Sequence, residues 1–167
     1  MHQQPCASLN YLSPRYHFVR KFGEKYNLRF TNLLGSKNYQ HKWKAEIAET
    51  IKKLPQIYPT LFSQWISRAK MMSHKYLLCI DGIDYASNFI WALKSNSLVL
   101  ATPSNWDIVI SVGLEKWKHF IPIKSDGSDL EKKLKWCREN DDLCRQIAER
   151  ATNYLKYYNE ETENRIE

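Results

Sequence analysis

Residues 76–88 read YLLCIDGIDYASN, and this stretch decides the fold class. The run Tyr76–Ile80 is apolar, uninterrupted and short, which is typical of a strand buried on both faces of a sheet. Asp81 and Gly82 end the run, and the apolar spacing after them predicts a helix over Ser87–Lys94. A buried strand followed directly by a helix is the first half of a βαβ unit.

Two further strands are predicted downstream. Ser97–Leu100 and His119–Ile123 are again short and apolar, and a helix over Asp107–Leu114 is predicted between them. Alternating strands and helices imply a parallel sheet with right-handed crossovers. We therefore predict an α/β fold, a Rossmann-like parallel sheet flanked by helices.

The remaining segments favour helices. Apolar residues at helical spacing predict an amphipathic helix over Trp43–Leu54 and a second helical stretch around Leu61–Met72. Ser128 and Glu131 have the S-x-x-E spacing of a capping box, which predicts a helix start at this point. A last helix is predicted over Leu143–Tyr157, followed by a charged tail over residues 159–167.

The composition indicates a packed globular protein. The chain has 167 residues, of which 43% are hydrophobic and 13% aromatic, enough for one domain with a substantial core. No apolar run approaches the roughly 18–20 residues that span a bilayer, and the first 14 residues lack the apolar centre of a secretory signal. We expect a cytoplasmic protein that can also rest on the inner face of the membrane.

Positive charge is concentrated in the first part of the chain. Residues 1–75 hold 13 Lys and Arg against 3 Asp and Glu, a net charge of +10, whereas residues 76–167 hold 12 against 15, a net charge of −3. This asymmetry leaves open nucleic-acid binding, attraction to anionic lipid headgroups, or a solvated basic surface. Because no nucleic-acid recognition motif accompanies it, a nucleic-acid partner is not expected.

The cysteines argue against a metal site. Cys6, Cys79, Cys137 and Cys144 form no C-x-x-C pair and have no histidine nearby at zinc-ligand spacing. We expect buried free thiols.

A ligand site is predicted where the first strand turns into its helix, because open α/β sheets bind ligands beyond the carboxyl ends of their strands. Gly82 lets the backbone approach a ligand closely, and Asp81 or Asp84 can accept hydrogen bonds from sugar or ribose hydroxyls. Ser87 and Asn88 can donate hydrogen bonds at the start of the helix. The alternative is an ordinary turn in which Ser87 caps the helix.

Two more residues invite a functional interpretation. In the loop 102–107, TPSNWD, Trp106 can stack on a base or sugar beside the carboxylate of Asp107, and a partly buried structural tryptophan is the alternative. His119 titrates near neutral pH, as a proton-transfer residue must. Its place at the start of a buried strand, with no partner visible in the sequence, favours a structural role.

Three segments together carry a family resemblance. The first segment, residues 75–100 (KYLLCIDGIDYASNFIWALKSNSLVL), matches the pattern K-Y-I-L-x-I-E-G-N-D-V-A-S-N-L-K-W-x-L-x-S-N-S-V-V-L at most positions. The second, residues 119–123 (HFIPI), matches H-Y-x-P-(V/L). The third, residues 128–140 (SDLEKKLKWCREN), matches S-D-L-x-x-K-(I/L)-x-W-C-x-x-N. In these patterns the chain resembles glycosyltransferase family 90, in particular its lipopolysaccharide-modifying bacterial branch. The similarity covers residues 66–155, with a weaker match at residues 15–19.

The resemblance implies a GT-B enzyme, in which two Rossmann-like domains enclose the active site and the C-terminal domain holds a nucleotide sugar, commonly a UDP-hexose or UDP-pentose. It places Gly82, Asp84, Ser87, Asn88 and Asp107 in the donor pocket. It identifies no catalytic residue in this chain, and it implies no metal and no cofactor besides the UDP-sugar substrate.

The chain departs from the family pattern at two positions and in length. Ile83 replaces the asparagine after the glycine, and Val112 replaces the second carboxylate of the loop E-x-W-F-M-E-G. We expect residues 1–65 to be a basic, mostly helical remnant of, or lead-in to, the N-terminal domain and residues 66–158 to form the nucleotide-sugar-binding domain. The function expected is a truncated glycosyltransferase that transfers sugar from a UDP-sugar to lipopolysaccharide or another surface glycan; the alternative is a non-catalytic, nucleotide-sugar-binding or partner-binding remnant.

Overall fold

A computed structural model describes residues 14–29, 53, 55–57, 59–64, 66–81, 85–104 and 111–163, with side chains described as far as residue 157. The chain divides into two compact units, one formed by Tyr16–Ser67 and the other by Arg68–Glu167 with the residues up to Arg15. The predicted domain boundaries at residues 65 and 158 stay predictions. Among the described residues, no helix combines the length and the apolar character needed to cross a membrane.

Helix α1 spans Pro14–Tyr26, and its residues from Tyr16 onward belong to the smaller unit. Proline is well suited to a first helical position, since its fixed φ is helical and its missing N–H has no partner there. Phe18, Val19 and Phe22 are buried along one side of α1. Val19 packs with Leu61, which ends a short 3₁₀ helix at Pro59–Leu61.

The helix predicted over Leu61–Met72 is wrong for most of its length. Of the described residues in this range, which leave out residue 65, Arg68–Met72 are α-helical as helix α2, and none of them is buried. Leu61 is instead buried against Val19, so tertiary packing outweighs helical periodicity at this point. The helix predicted over Trp43–Leu54 lies, apart from Lys53, outside the described residues.

The sheet has three parallel strands in the order β1-β2-β3, where β1 is Tyr76–Cys79, β2 is Leu98–Ala101 and β3 is Ile121–Pro122. In register, Tyr76 lies beside Leu98 and Leu100 lies beside Ile121. All three predicted strands are present. The third is shorter than predicted because residues 116–120 form a turn and Pro122 has no N–H to donate.

Helices flank this sheet: α3 spans Phe89–Leu93, α4 spans Leu130–Glu139 and α5 spans Asp141–Glu163. The predicted α/β architecture is therefore confirmed. One buried cluster joins the strands, α3 and α5 through Cys79, Ala86, Phe89, Ala92, Leu93, Val99, Ala101, Ala151 and Leu155. Of the helix predicted over 107–114, residues 105–110 lie outside the described part, and Ser111–Gly113 form a turn closed by the hydrogen bond from Leu114 N to Ser111 O.

The capping box predicted at Ser128 is wrong. The N-cap position of α4 is Asp129, and it makes no side-chain cap bond. Its Oδ1 instead accepts a hydrogen bond from the backbone N–H of Lys124 at 2.8 Å, and Ser128 N donates to Asp126 Oδ1 at 2.9 Å. The polar side chains of this segment stabilise the turn before the helix rather than the helix end. Further along, α5 continues to Glu163, past its predicted end at Tyr157.

The cysteines match the expectation of buried free thiols. Cys79, Cys137 and Cys144 are all buried and free. Cys6 lies outside the described residues.

Candidate functional site

A cavity of about 210 Å³ opens at the carboxyl ends of the three strands. This is the edge of the sheet at which the sequence predicts a ligand site. Residues from the strand ends, the start of α3 and the segment 111–122 line it: Cys79, Asp81, Tyr85, Ala86, Phe89, Ala101, Thr102, Pro103, Ser104, Ser111, Leu114, Lys116, Phe120 and Pro122.

Three aromatic rings contribute to the wall of the cavity. Phe89 meets Phe120 edge-to-face, with ring centroids 5.3 Å apart, and meets Tyr85 in the same way at 6.0 Å. Edge-to-face contacts fix the relative orientation of the rings. Burial raises the pKa of the Tyr85 phenol above its ordinary value, so the phenol stays neutral at physiological pH. The aromatic part of the wall is apolar and suits a ring with an apolar face, such as a nucleobase or a pyranose.

Asp81 connects the ends of β1 and β2 at the cavity. Its Oδ1 accepts a hydrogen bond from the backbone N–H of Ala86 at 2.9 Å, and its own N–H donates to Thr102 Oγ1 at 3.4 Å. The carboxylate is therefore held at the start of the segment that leads to α3. A held carboxylate at a cavity wall can accept hydrogen bonds from ligand hydroxyls without a large entropic cost of ordering.

Lys116 lines the same cavity, and the sequence analysis did not single it out. Its backbone forms a bridge with Phe120, and Trp117 N donates to Phe120 O at 2.7 Å. Trp117 has a φ of 68°, which a bulky residue rarely adopts. Because the pattern L-E-K-W-K-H-F contains none of the glycines or asparagines that mark such a turn, sequence reasoning had no signal for it.

Two of the predicted donor-pocket residues, Ser87 and Asn88, do not line the cavity. Ser87 is exposed in the turn before α3. Asn88 Nδ2 donates to the carbonyl of Leu78 at 3.3 Å, which ties the start of α3 to β1. The alternative in which Ser87 caps the helix is wrong, because Asn88 holds the N-cap position and its side chain makes no cap bond.

The other predicted donor-pocket residues, Gly82, Asp84 and Asp107, and the stacking candidate Trp106, lie outside the described residues. Their assignment, with that of Ser87 and Asn88, stays a prediction.

His119 is a buried structural residue. It is 4% exposed, it does not line the cavity, and its Nδ1 accepts a hydrogen bond from the backbone N–H of Glu115 at 2.9 Å. Its ring lies 5.2 Å from the ring of Tyr154. Burial, and secondarily the positive charge of Lys118, lowers the pKa of His119 below its ordinary value. The neutral ring that results is the form that can accept at Nδ1.

Segment 111–114, which gives the cavity Ser111 and Leu114, is fixed to helix α5. The backbone N–H of Gly113 donates to Tyr154 Oη at 3.1 Å. Val112 is 85% exposed, so the valine that replaces the family's second carboxylate lies on the surface.

Comparisons with known proteins give one matching family model and several similar proteins. The family model described as Glycosyl transferase family 90 matches residues 23–161. Protein 179R of Invertebrate iridescent virus 6 is 28% identical over 141 residues, which cover 80% of this chain and 11% of that protein. Protein O-glucosyltransferase 3 of Homo sapiens is 36% identical over 89 residues, 50% of this chain and 18% of that protein. Protein 027R of Frog virus 3 is 39% identical over 85 residues, 47% of this chain and 9% of that protein.

Proposed function

Since the chain belongs to glycosyltransferase family 90, we propose that it acts as a glycosyltransferase that binds a UDP-sugar in the cavity at the carboxyl edge of its sheet. The chain spans less than a fifth of the length of each of the three relatives described above. That this chain has the activity of a whole protein of the family is therefore a proposal.

The position of the cavity is the observation that carries the proposal. Parallel α/β sheets bind nucleotides beyond the carboxyl ends of their strands, and the described cavity lies there. Phe89 and Phe120 offer an apolar wall for a base or sugar ring, and the carboxylate of Asp81 offers an acceptor for hydroxyls. A mostly apolar pocket with a few fixed polar groups is the usual form of a small-molecule site.

The acceptor we propose is lipopolysaccharide or another surface glycan. Its support is the resemblance of residues 75–140 to the lipopolysaccharide-modifying branch, together with the net charge of +10 on residues 1–75, which suits an anionic lipid surface or a phosphorylated glycolipid. The human relative is named a protein O-glucosyltransferase, so UDP-glucose is the first donor to test.

Nucleotide-sugar binding without transfer is the second candidate function. It is favoured by the absence of an evident catalytic base among the described lining residues. Asp81 is the carboxylate among those residues, and its Oδ1 already accepts a hydrogen bond from Ala86 N. His119 does not line the cavity, and its Nδ1 already accepts a hydrogen bond from Glu115 N.

Isothermal titration of the purified chain with UDP and UDP-glucose tests binding, and transfer of radiolabelled glucose to purified lipopolysaccharide tests turnover. We expect saturable binding that Asp81→Asn weakens, since asparagine keeps an acceptor for Ala86 N–H but loses the charge. Asp142→Asn, an exposed carboxylate on α5, is the matched control. Absence of binding at millimolar UDP contradicts the proposed function; binding without transfer to any glycan or protein acceptor selects the second candidate.

A further inference from the structure

We propose that Lys116 is the anion-binding residue of the cavity, and that its ammonium group pairs with a negatively charged group of the bound nucleotide sugar. This inference rests on the proposed function and adds the residue that selects the ligand by its charge. The anion has two sources, the diphosphate of the nucleotide or a carboxylate on the sugar, and both present oxygens that a lysine ammonium can bind.

The charges at the cavity point to Lys116. Among the described residues that line it, Asp81 and Lys116 are the charged ones. Asp81 Oδ1 is engaged by the backbone N–H of Ala86 at 2.9 Å. A cation favours a dianionic diphosphate beside that carboxylate, and Lys116 is the described lining residue that supplies one.

The surroundings of Lys116 leave its charge available to a ligand. Within the part of the chain that the structure describes, Lys116 forms no ion pair, whereas the neighbouring Glu115 is paired with Lys118. The acidic residue closest in sequence is therefore already neutralised by another lysine. An ammonium group without a protein counter-charge gains most from an anionic ligand.

The turn that carries Lys116 is held from both sides. After Lys116, Trp117 takes a φ of 68° and donates to Phe120 O at 2.7 Å. Before it, the backbone N–H of Glu115 is bound by the buried Nδ1 of His119 at 2.9 Å. A strained backbone persists only where its surroundings determine it, and strain of this kind concentrates at binding sites. These contacts fix the backbone of Lys116 at the cavity, and its side chain is exposed to solvent.

The test uses the 167-residue chain with Lys116→Met, which keeps the length and apolar stem of the side chain and removes its charge. Lys132→Met is the matched control, since Lys132 is exposed on α4 and does not line the cavity. Calorimetric titrations at low salt use uridine, UDP, UDP-glucose and UDP-glucuronate. Equal thermal midpoints of the variants and the parent chain establish that each variant is folded.

If Lys116 binds the diphosphate, Lys116→Met loses about tenfold in affinity for UDP and both UDP-sugars and keeps its affinity for uridine. If Lys116 binds a sugar carboxylate, Lys116→Met loses about tenfold in affinity for UDP-glucuronate alone. In either case Lys116→Arg retains most of the affinity, Lys132→Met binds as the parent does, and the loss shrinks in high salt.

Binding of all four ligands by Lys116→Met as tightly as by the parent chain overturns this inference and leaves the proposed function intact. A parent chain that binds none of the four overturns both. Whether the parent chain binds these ligands therefore distinguishes a failure of this inference from a failure of the proposed function.

Discussion

Gly113 and Tyr154 lie 41 residues apart in sequence, and the backbone N–H of Gly113 donates to Tyr154 Oη at 3.1 Å. A Cβ added at Gly113 would lie 2.4 Å from that oxygen and 2.8 Å from two ring carbons. The contact therefore requires glycine at this position, and it holds the cavity-lining segment 111–114 against α5.

Gly113→Ala should destabilise the chain by about 1–3 kcal/mol, because the added methyl group forces the Tyr154 ring to move. Tyr154→Phe should cost about 1 kcal/mol through the lost hydrogen bond. Since Tyr154→Leu removes the ring that the methyl group meets, Gly113→Ala should cost clearly less in that background than in the parent chain. Urea denaturation of the parent, Gly113→Ala, Tyr154→Leu and the variant with both changes measures the coupling between the two positions. Strictly additive losses of unfolding free energy would contradict the contact.

Stability should fall as the pH drops below about 6.5, the ordinary pKa of histidine, because burial lowers the pKa of His119 in the folded chain. In that pH range His119 is protonated in the unfolded chain but stays neutral in the folded chain, so protonation of His119 favours unfolding. The groups that act on His119 are Lys118 and Arg150, which lower its pKa, and Glu115, which raises it. Above the pKa that His119 has in the unfolded chain, the neutral ring makes its full contribution to the free energy of unfolding.

Denaturation at pH 7.5 and pH 5.5 measures this effect, with His119→Asn as the comparison. The asparagine Oδ1 can replace Nδ1 as acceptor for Glu115 N–H and does not titrate. The difference in unfolding free energy between the parent and His119→Asn should therefore narrow as the pH falls. A difference that is constant with pH would show that His119 protonation is not coupled to folding.

Asn88→Ala should destabilise the chain by about 1 kcal/mol, because it removes the hydrogen bond from Nδ2 to the carbonyl of Leu78. Ser87→Ala is the control and should have little effect, since Ser87 is exposed. Thermal denaturation compares the two. Equal losses of thermal stability in the two variants would mean that the hydrogen bond to β1 contributes nothing to stability. Nucleotide titrations of both variants separately test the predicted place of Ser87 and Asn88 in the donor pocket.

Cys137 should react slowly with thiol reagents in the folded chain. It is fully buried, and burial, together with the adjacent Cys144, raises its pKa to about 12, so almost no thiolate is present at neutral pH. Burial likewise raises the pKa values of Cys79 and Cys144. Mass spectrometry after iodoacetamide treatment, with and without urea, checks this: labelling of these three positions should require urea, and rapid native labelling would contradict the burial.

The strands were predictable because their signal is local. Tyr76–Ile80 and Leu98–Ala101 are uninterrupted apolar runs between polar residues. β2 is buried along its whole length, as this pattern predicts, whereas only Cys79 of β1 is buried and its other three residues are partly exposed. The position of the cavity agrees with the edge predicted from the strand order, since the carboxyl ends of parallel strands share one edge.

The errors arose where particular side-chain and backbone contacts, some of them between residues close in sequence, decide the structure. Ser128 has the spacing of a capping box, but Asp129 binds Lys124 N instead. Leu61 fits a helical stripe, but it packs against Val19. Lys116 reaches the cavity through a turn in which Trp117 has a positive φ, and the buried His119 accepts a hydrogen bond from the backbone N–H of Glu115 just before it. Contacts of this kind leave no periodic signal in the sequence.

The most direct test of the account is an amide ¹H–¹⁵N spectrum of the chain titrated with UDP-glucose. We predict saturable shifts at Asp81, Ala86, Thr102 and Lys116, which line the cavity, and unchanged signals along the exposed face of α4. Saturable shifts confined to residues remote from the carboxyl edge of the sheet, or no shifts at millimolar ligand, would contradict the claim that this cavity holds the nucleotide sugar.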